Sequence, residues 1–222
     1  MSDPQQTRDL PIWDPWVRIV HWAIVVLFAV SVGSGLAHRL DLHFASGYAL
    51  LALVLFRIAW GIVGSDTARF VRFLRGPRAV LRSLAGFLRR SPDLTPGHNP
   101  AGGWSVAALL LLLLAQAGSG LFADDAIFTR GPLARLVPAW VSDLATSLHV
   151  RIWMALAALV ALHILVVVLY AALRRTDLIG PMVTGRKRVA ADAEPPAMGS
   201  PWLALLLLGA AAAAVWGISR LG

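Results

Sequence analysis

From Leu144 to Leu173 the chain runs for thirty residues with Arg151 as its only formal charge. Crossing a hydrocarbon core takes about 20 apolar residues in a helix, so this stretch exceeds what a span requires. In lipid every backbone N–H and C=O must be satisfied within the segment, and a helix achieves that locally. Four further runs have the same character, at 19–37, 44–63, 103–123 and 201–219. The whole chain agrees, with 58% hydrophobic and 14% charged residues. An all-α membrane protein with five transmembrane helices is predicted.

The connecting segments carry the charge. Arg8 and Arg18 precede the first run; Arg69, Arg72, Arg75, Arg78, Arg82, Arg89 and Arg90 lie between the second and third; Arg174, Arg175, Arg186, Lys187 and Arg188 follow the fourth. The opposite side has Arg39, Arg130, Arg135, Arg151 and Arg220. Basic residues collect on the cytoplasmic side of a membrane, which predicts a cytoplasmic amino terminus and an outer carboxyl terminus. Asp3, Asp9 and Asp14 precede the first run and no small-residue cleavage site follows it, so it is expected to persist as a helix and not to be removed as a leader. Residues 1–11 read as a polar, mobile tail, 189–200 as a linker, and 201–219 as an anchoring or packing helix. The arginines at 69, 72, 75, 78 and 82 recur every three or four residues, the pattern of a short basic helix interrupted at Gly76-Pro77. Such a face suits anionic membrane lipid, with a soluble redox partner as the other reading. No folded basic domain accompanies the arginines, so nucleic acid is excluded as a partner.

The histidines carry the chemistry. His149 and His163 stand fourteen residues apart in the long run; fourteen helical steps fall ~40° short of four whole turns and climb roughly 21 Å. Both imidazoles therefore leave nearly one face, at two depths. His43 is at the depth of His149, with Gly47 one turn on to clear its face, while His21 opens the first span at the depth His163 can reach. His38 is the rival of His43 but falls at the end of the first helix, and His98 reads as interfacial. Gly33, Ser34 and Gly35 leave room for close packing or for a flat macrocycle. Gln116 and Gly118-Ser119-Gly120 in the third span read as packing, and 124–142 as a short outer lid. Arg57 lies inside the second span, where a charge is costly unless it pairs or snorkels; a haem propionate or a lipid phosphate would serve. Arg18 can likewise reach phosphate or propionate.

Two pairs of imidazoles at two depths, with no cysteine in the chain, specify two six-coordinate b-type haems, because covalent attachment and thiolate ligation are both ruled out. Bis-histidine iron shuttles electrons and has no open position for a substrate. No Asp or Glu lies within a span, whereas proton relays and ion-coupled carriers ordinarily use intramembrane carboxylates. A histidine-lined metal transporter is the alternative from a different class.

The order Val17-Arg18-Ile19-Val20-His21-Trp22, His43-x-x-x-Gly47-Tyr48, Phe56-Arg57-x-x-Trp60-Gly61, Gly97-His98-Asn99-Pro100, His149 with His163, and Met182-x-Thr184-Gly185 resembles the bacterial cytochrome b561 / nickel-iron hydrogenase cytochrome b-subunit family, over roughly Leu10 to Arg188. The resemblance implies a four-helix core over 12–188 holding two b haems. His21 and His163 would ligate the cytoplasmic one and His43 and His149 the periplasmic one, with quinone reacting near a haem. A fifth helix departs from the minimal pattern. The function implied is an electron conduit of the bacterial inner membrane, between the quinone pool and a partner subunit or cytochrome c. A stand-alone superoxide:quinone oxidoreductase is the rival; a cationic outer funnel of Arg39, Arg130, Arg135 and Arg151 would favour it, and Asp124, Asp125 and Asp143 oppose it.

Overall fold

Three of the long helices begin at a polar residue followed by proline. The computed structural model describes residues 7–87, 93–127 and 129–221; Arg89, Arg90 and the first six residues of the predicted tail lie outside them. Helix α1 (Pro15–Leu36) starts after Asp14, whose Oδ1 accepts the Val17 N–H at 2.9 Å. Helix α5 (Pro100–Phe122) starts after Asn99, whose Oδ1 accepts the Gly102 N–H at 2.8 Å. Helix α8 (Pro201–Ser219) follows Ser200. A polar cap satisfies an orphan N–H of the first turn, and a proline at the next position gives up no bond the helix would have made.

The other long helices are α2 (Leu40–Val63) and α6 (Ala139–Arg174), with short α3 (Phe70–Phe73), α4 (Pro77–Ala85) and α7 (Ile179–Thr184) between them. All five long helices are sufficiently long and apolar to cross a membrane. Four of them start before the apolar runs do, at Pro15, Leu40, Pro100 and Ala139, because each helix is initiated by its cap or by the preceding turn and not by its first apolar residue. Between α1 and α2 the chain turns on His38, which adopts a left-handed φ of 53°. Its neighbour Arg39 donates its N–H to the Ser34 carbonyl at 2.8 Å, closing the helix as a C-terminal cap does.

By contact the chain forms two compact units. The first comprises Met1–Ile19, Ala59–Ala107 and Ala161–Ala204; the second comprises Val20–Ile58, Ala108–Val160 and Leu205–Gly222.

In the first unit the expectation of a mobile amino-terminal tail fails for its second half. Thr7–Pro11 is a strand, β1, antiparallel to β2 (Arg186–Ala190), with Thr7 opposite Ala190 and Pro11 opposite Arg186. The reason is alternation: Lys187 and Val189 are buried while Arg186 and Arg188 face out, the period of a half-buried strand. Ile12 and Trp13 continue the contact by donating their N–H groups to the Gly185 carbonyl at 2.8 and 3.0 Å. The linker before α8 is docked as well: Ala197 N–H donates to Asp66 Oδ2 at 3.0 Å and Gly199 N–H to Ser65 Oγ at 2.8 Å. Asp66 is held below its ordinary value chiefly by that Ala197 bond, and further by Arg69.

The second unit packs around α2. Leu51 and Ala52 meet Leu121 of α5 and Val215 of α8, and Val54 meets Leu113 of α5 and Leu156 of α6. The fifth helix is thus seated on α2 and α5. Among apolar helices in lipid it is close packing, not withdrawal from water, that holds such contacts together.

Candidate functional site

The second unit contains a cavity of about 410 Å³ lined mainly by apolar side chains, with His43 from α2 and His149 from α6 in its wall. This is within the size range of small-molecule and cofactor sites. The two imidazole rings face one another with centroids 6.0 Å apart and planes at 86°. A metal ion holds an imidazole nitrogen at roughly 2 Å, so two rings on opposite sides of one ion stand with centroids ~6 Å apart.

Each ring is fixed by its other nitrogen. His43 Nδ1 lies 2.8 Å from the Ser31 carbonyl oxygen and His149 Nδ1 lies 2.9 Å from that of Gln116. A carbonyl only accepts, so each Nδ1 carries a proton, and a ring in that neutral tautomer presents its lone pair at Nε2. Metal-bound histidines are commonly oriented by this second hydrogen bond, which also raises the basicity of the ligating nitrogen.

Glycines make room for the rings. A Cβ at Gly35 would sit 3.0 Å from His43 Nδ1, and one at Gly120 would sit 2.9 Å from His149 Cε1. Any side chain at either position would displace an imidazole. Gly47 also lines the cavity, and a Cβ there would meet nothing within 4 Å, so it opens free volume beside His43.

Gln116 was read from sequence as a packing residue, and here the structure differs. Besides its carbonyl, its side-chain Nε2 donates to the His149 carbonyl at 3.1 Å. Its Oε1 is buried and accepts no hydrogen bond from the described residues. The available signal was its isolation: it is the single carboxamide in an otherwise apolar span, four residues from Gly120 and so on the same face.

Among the described residues no three His, Asp, Glu or Cys side chains converge. His21 belongs to the second unit, half-buried, with its ring edge-on to Trp22 at 5.1 Å. His163 belongs to the first unit and is half-buried on α6. Arg57 is buried within α2, at 6% exposure. In the first unit Arg18 donates to the Val183 carbonyl at 2.5 Å, while its Nε is buried and has no acceptor among the described residues. His98, half-buried just before α5, packs its ring against Trp13 at 4.5 Å and Phe73 at 4.8 Å.

The family model for prokaryotic cytochrome b561 matches residues 12–185. The chain belongs to the prokaryotic cytochrome b561 family. It is similar to the probable Ni/Fe-hydrogenase B-type cytochrome subunit of Rhizobium leguminosarum bv. viciae, with 28% identity over 163 residues, covering 66% of this chain and 67% of that one. No solved structure matches it significantly. This cytochrome b561 family member is a multi-pass membrane b-type cytochrome, an electron-transfer protein of the hydrogenase cytochrome b subunit kind. Its family is built as a four-helix haem bundle, to which α8 is an addition, and its cofactor is haem b. The cavity residues fit that group: two imidazoles stand at the right separation, each oriented by a carbonyl, and Gly47 leaves free volume beside His43.

Proposed function

We propose that the protein is a di-haem conduit that carries electrons across the bacterial inner membrane, between the quinone pool and a redox partner. The observation that carries the proposal is the His43–His149 pair, 6.0 Å apart across a cavity, with each Nδ1 donating to a carbonyl. These two histidines would hold one haem. His21 and His163 are the ligands of the second, carried over from the family pattern. Arg18 and Arg57 are the propionate partners, and the buried Nε of Arg18 supports this with unused donor capacity. Gly47 clears the macrocycle.

A haem so held would supply one-electron exchange at its iron. The protein's own part is to hold each imidazole in one tautomer, to keep water from the ring edges with apolar helices, and to set the haem potential through the carbonyls behind the ligands. On this reading the four-helix core spans 12–188, and the distribution of basic residues supports a cytoplasmic amino terminus and a periplasmic carboxyl terminus. Because the Rhizobium relative is named as a hydrogenase subunit, the partner is an oxidoreductase subunit, with a soluble cytochrome c as the second choice.

The superoxide:quinone reading depends on a cationic outer funnel. Arg130 is paired with Asp124 at 2.5 Å, which offsets one of the four cations and favours the conduit.

A pyridine haemochrome assay tests the proposal: it should give two haems per chain in the native protein and one in both His43→Ala and His149→Ala. One haem in the native protein would end the di-haem reading. Rapid superoxide consumption with quinone alone would replace the conduit by the enzyme.

A further inference from the structure

The helix α4 exposes its apolar face as well as its charge. Leu81 and Leu84 are 65% and 55% exposed, and the half-buried positions are the smaller Ala79, Val80 and Ser83. At 100° per residue, Leu81 and Leu84 share one face and Arg78 and Arg82 lie together on the face beside it. Among the described residues Arg75, Arg78 and Arg82 make no ion pair, whereas Arg69 and Arg72 both reach Asp66.

The height of this segment is set by its neighbours. Trp104, near the start of α5, donates its indole N–H to the Arg75 carbonyl at 2.9 Å. A Cβ at Gly103 would lie 2.7 Å from the Phe73 ring, so α3 also rests on the first turn of α5. The chain entering α4 is thereby pinned to the end of a membrane span, the level at which tryptophan belts sit. At that level exposed leucines meet acyl chains and unpaired guanidiniums meet phosphate.

We propose that α4 is an interfacial helix that docks on anionic phospholipid, with Leu81 and Leu84 in the acyl boundary and Arg75, Arg78 and Arg82 on headgroup phosphates. The assignment is independent of the haem ligands. It fixes α4 to the membrane surface and makes its order depend on lipid charge.

Hydrogen exchange of residues 77–85 in the full-length protein tests it, in bilayer discs of phosphatidylcholine with and without phosphatidylglycerol. Each arginine brought to an anionic surface is worth a factor of about five, so the docking contributed by three is roughly 100-fold. Exchange should be slower by that order in the anionic discs, and the difference should shrink in high salt as the charges are screened. In R75Q/R78Q/R82Q the lipid dependence should vanish while haem content stays native. Equal exchange of the native protein in both lipids would overturn the proposal without recourse to any variant. So would protection that arises only when an acidic soluble redox protein is added.

Discussion

Gln116 grips His149 from two directions. Its backbone carbonyl accepts from the ring Nδ1 at 2.9 Å, and its side-chain amide donates to the His149 carbonyl at 3.1 Å. One residue of α5 thereby orients both the imidazole and the backbone of the α6 turn that carries it. Gln116→Leu keeps the carbonyl contact and removes the amide. Outer-orienting contacts of metal ligands are worth 10- to 100-fold in affinity, so haem binding at this site should weaken by about tenfold. Haem titration of the apoprotein, together with the midpoint potential, would measure it. An affinity and potential both equal to the native protein's would show that the amide only packs.

Two glycines offer a sharper contrast. A methyl at Gly120 would sit 2.9 Å from His149 Cε1, while one at Gly118, two residues away, would meet nothing within 4 Å. Gly120→Ala should therefore cost the His43–His149 haem, and Gly118→Ala should retain it. The same pairing exists on α1, where Gly35 abuts His43 and Gly33 has open space. Optical difference spectra of the four variants would decide. Loss of the same haem from Gly118→Ala would mean that close helix packing, and not ring clearance, is what these positions supply.

His98 sits between Trp13 and Phe73, so its removal is a matter of packing. His98→Ala should leave both haems in place and lower the thermal midpoint, since each ring pair is worth ~0.5–1.5 kcal/mol beyond its buried area. A preparation of His98→Ala lacking one haem would give the residue a role at a cofactor.

The helix content was legible because lipid demands long apolar runs, and depth was legible because a helix converts sequence spacing into rise. Residues 43 and 149 do line one cavity. What orients their rings was not legible: the acceptors are the backbone carbonyls of Ser31 and Gln116, and every residue has a carbonyl. The β1–β2 pairing was hidden for another reason. Each strand is five residues long, and its register depends on a partner at the other end of the chain. Helix starts were readable in principle, in Asp14-Pro15 and Asn99-Pro100, but apolar runs place them late because a cap is polar.

The first unit holds a buried polar group with its own pH signature. Asp93 is 8% exposed; it accepts from Asn99 Nδ2 at 3.0 Å and from the Thr95 N–H at 3.0 Å. Burial pushes its carboxyl up, but these bonds and the nearby charge of Lys187 outweigh that and hold it below its ordinary value. Since the folded value is depressed, the stabilisation is complete above the unfolded value of about 3.9 and is lost as pH falls through the folded one. Lys187 works on the alkaline side. Burial lowers it, Asp93 partly restores it, and Arg174 lowers it further, so its cost is present below its folded value and relieved as pH rises through it. The thermal midpoint in detergent should hold from neutral pH down to about 4 and then fall. Asp93→Asn should lower the midpoint near neutrality, in keeping with hydrogen bonds to a charged group worth ~1.5–3 kcal/mol, and should flatten part of the acid limb, the remainder belonging to carboxylates such as Asp66. An acid limb as steep in Asp93→Asn as in the native protein would assign the whole pH dependence elsewhere.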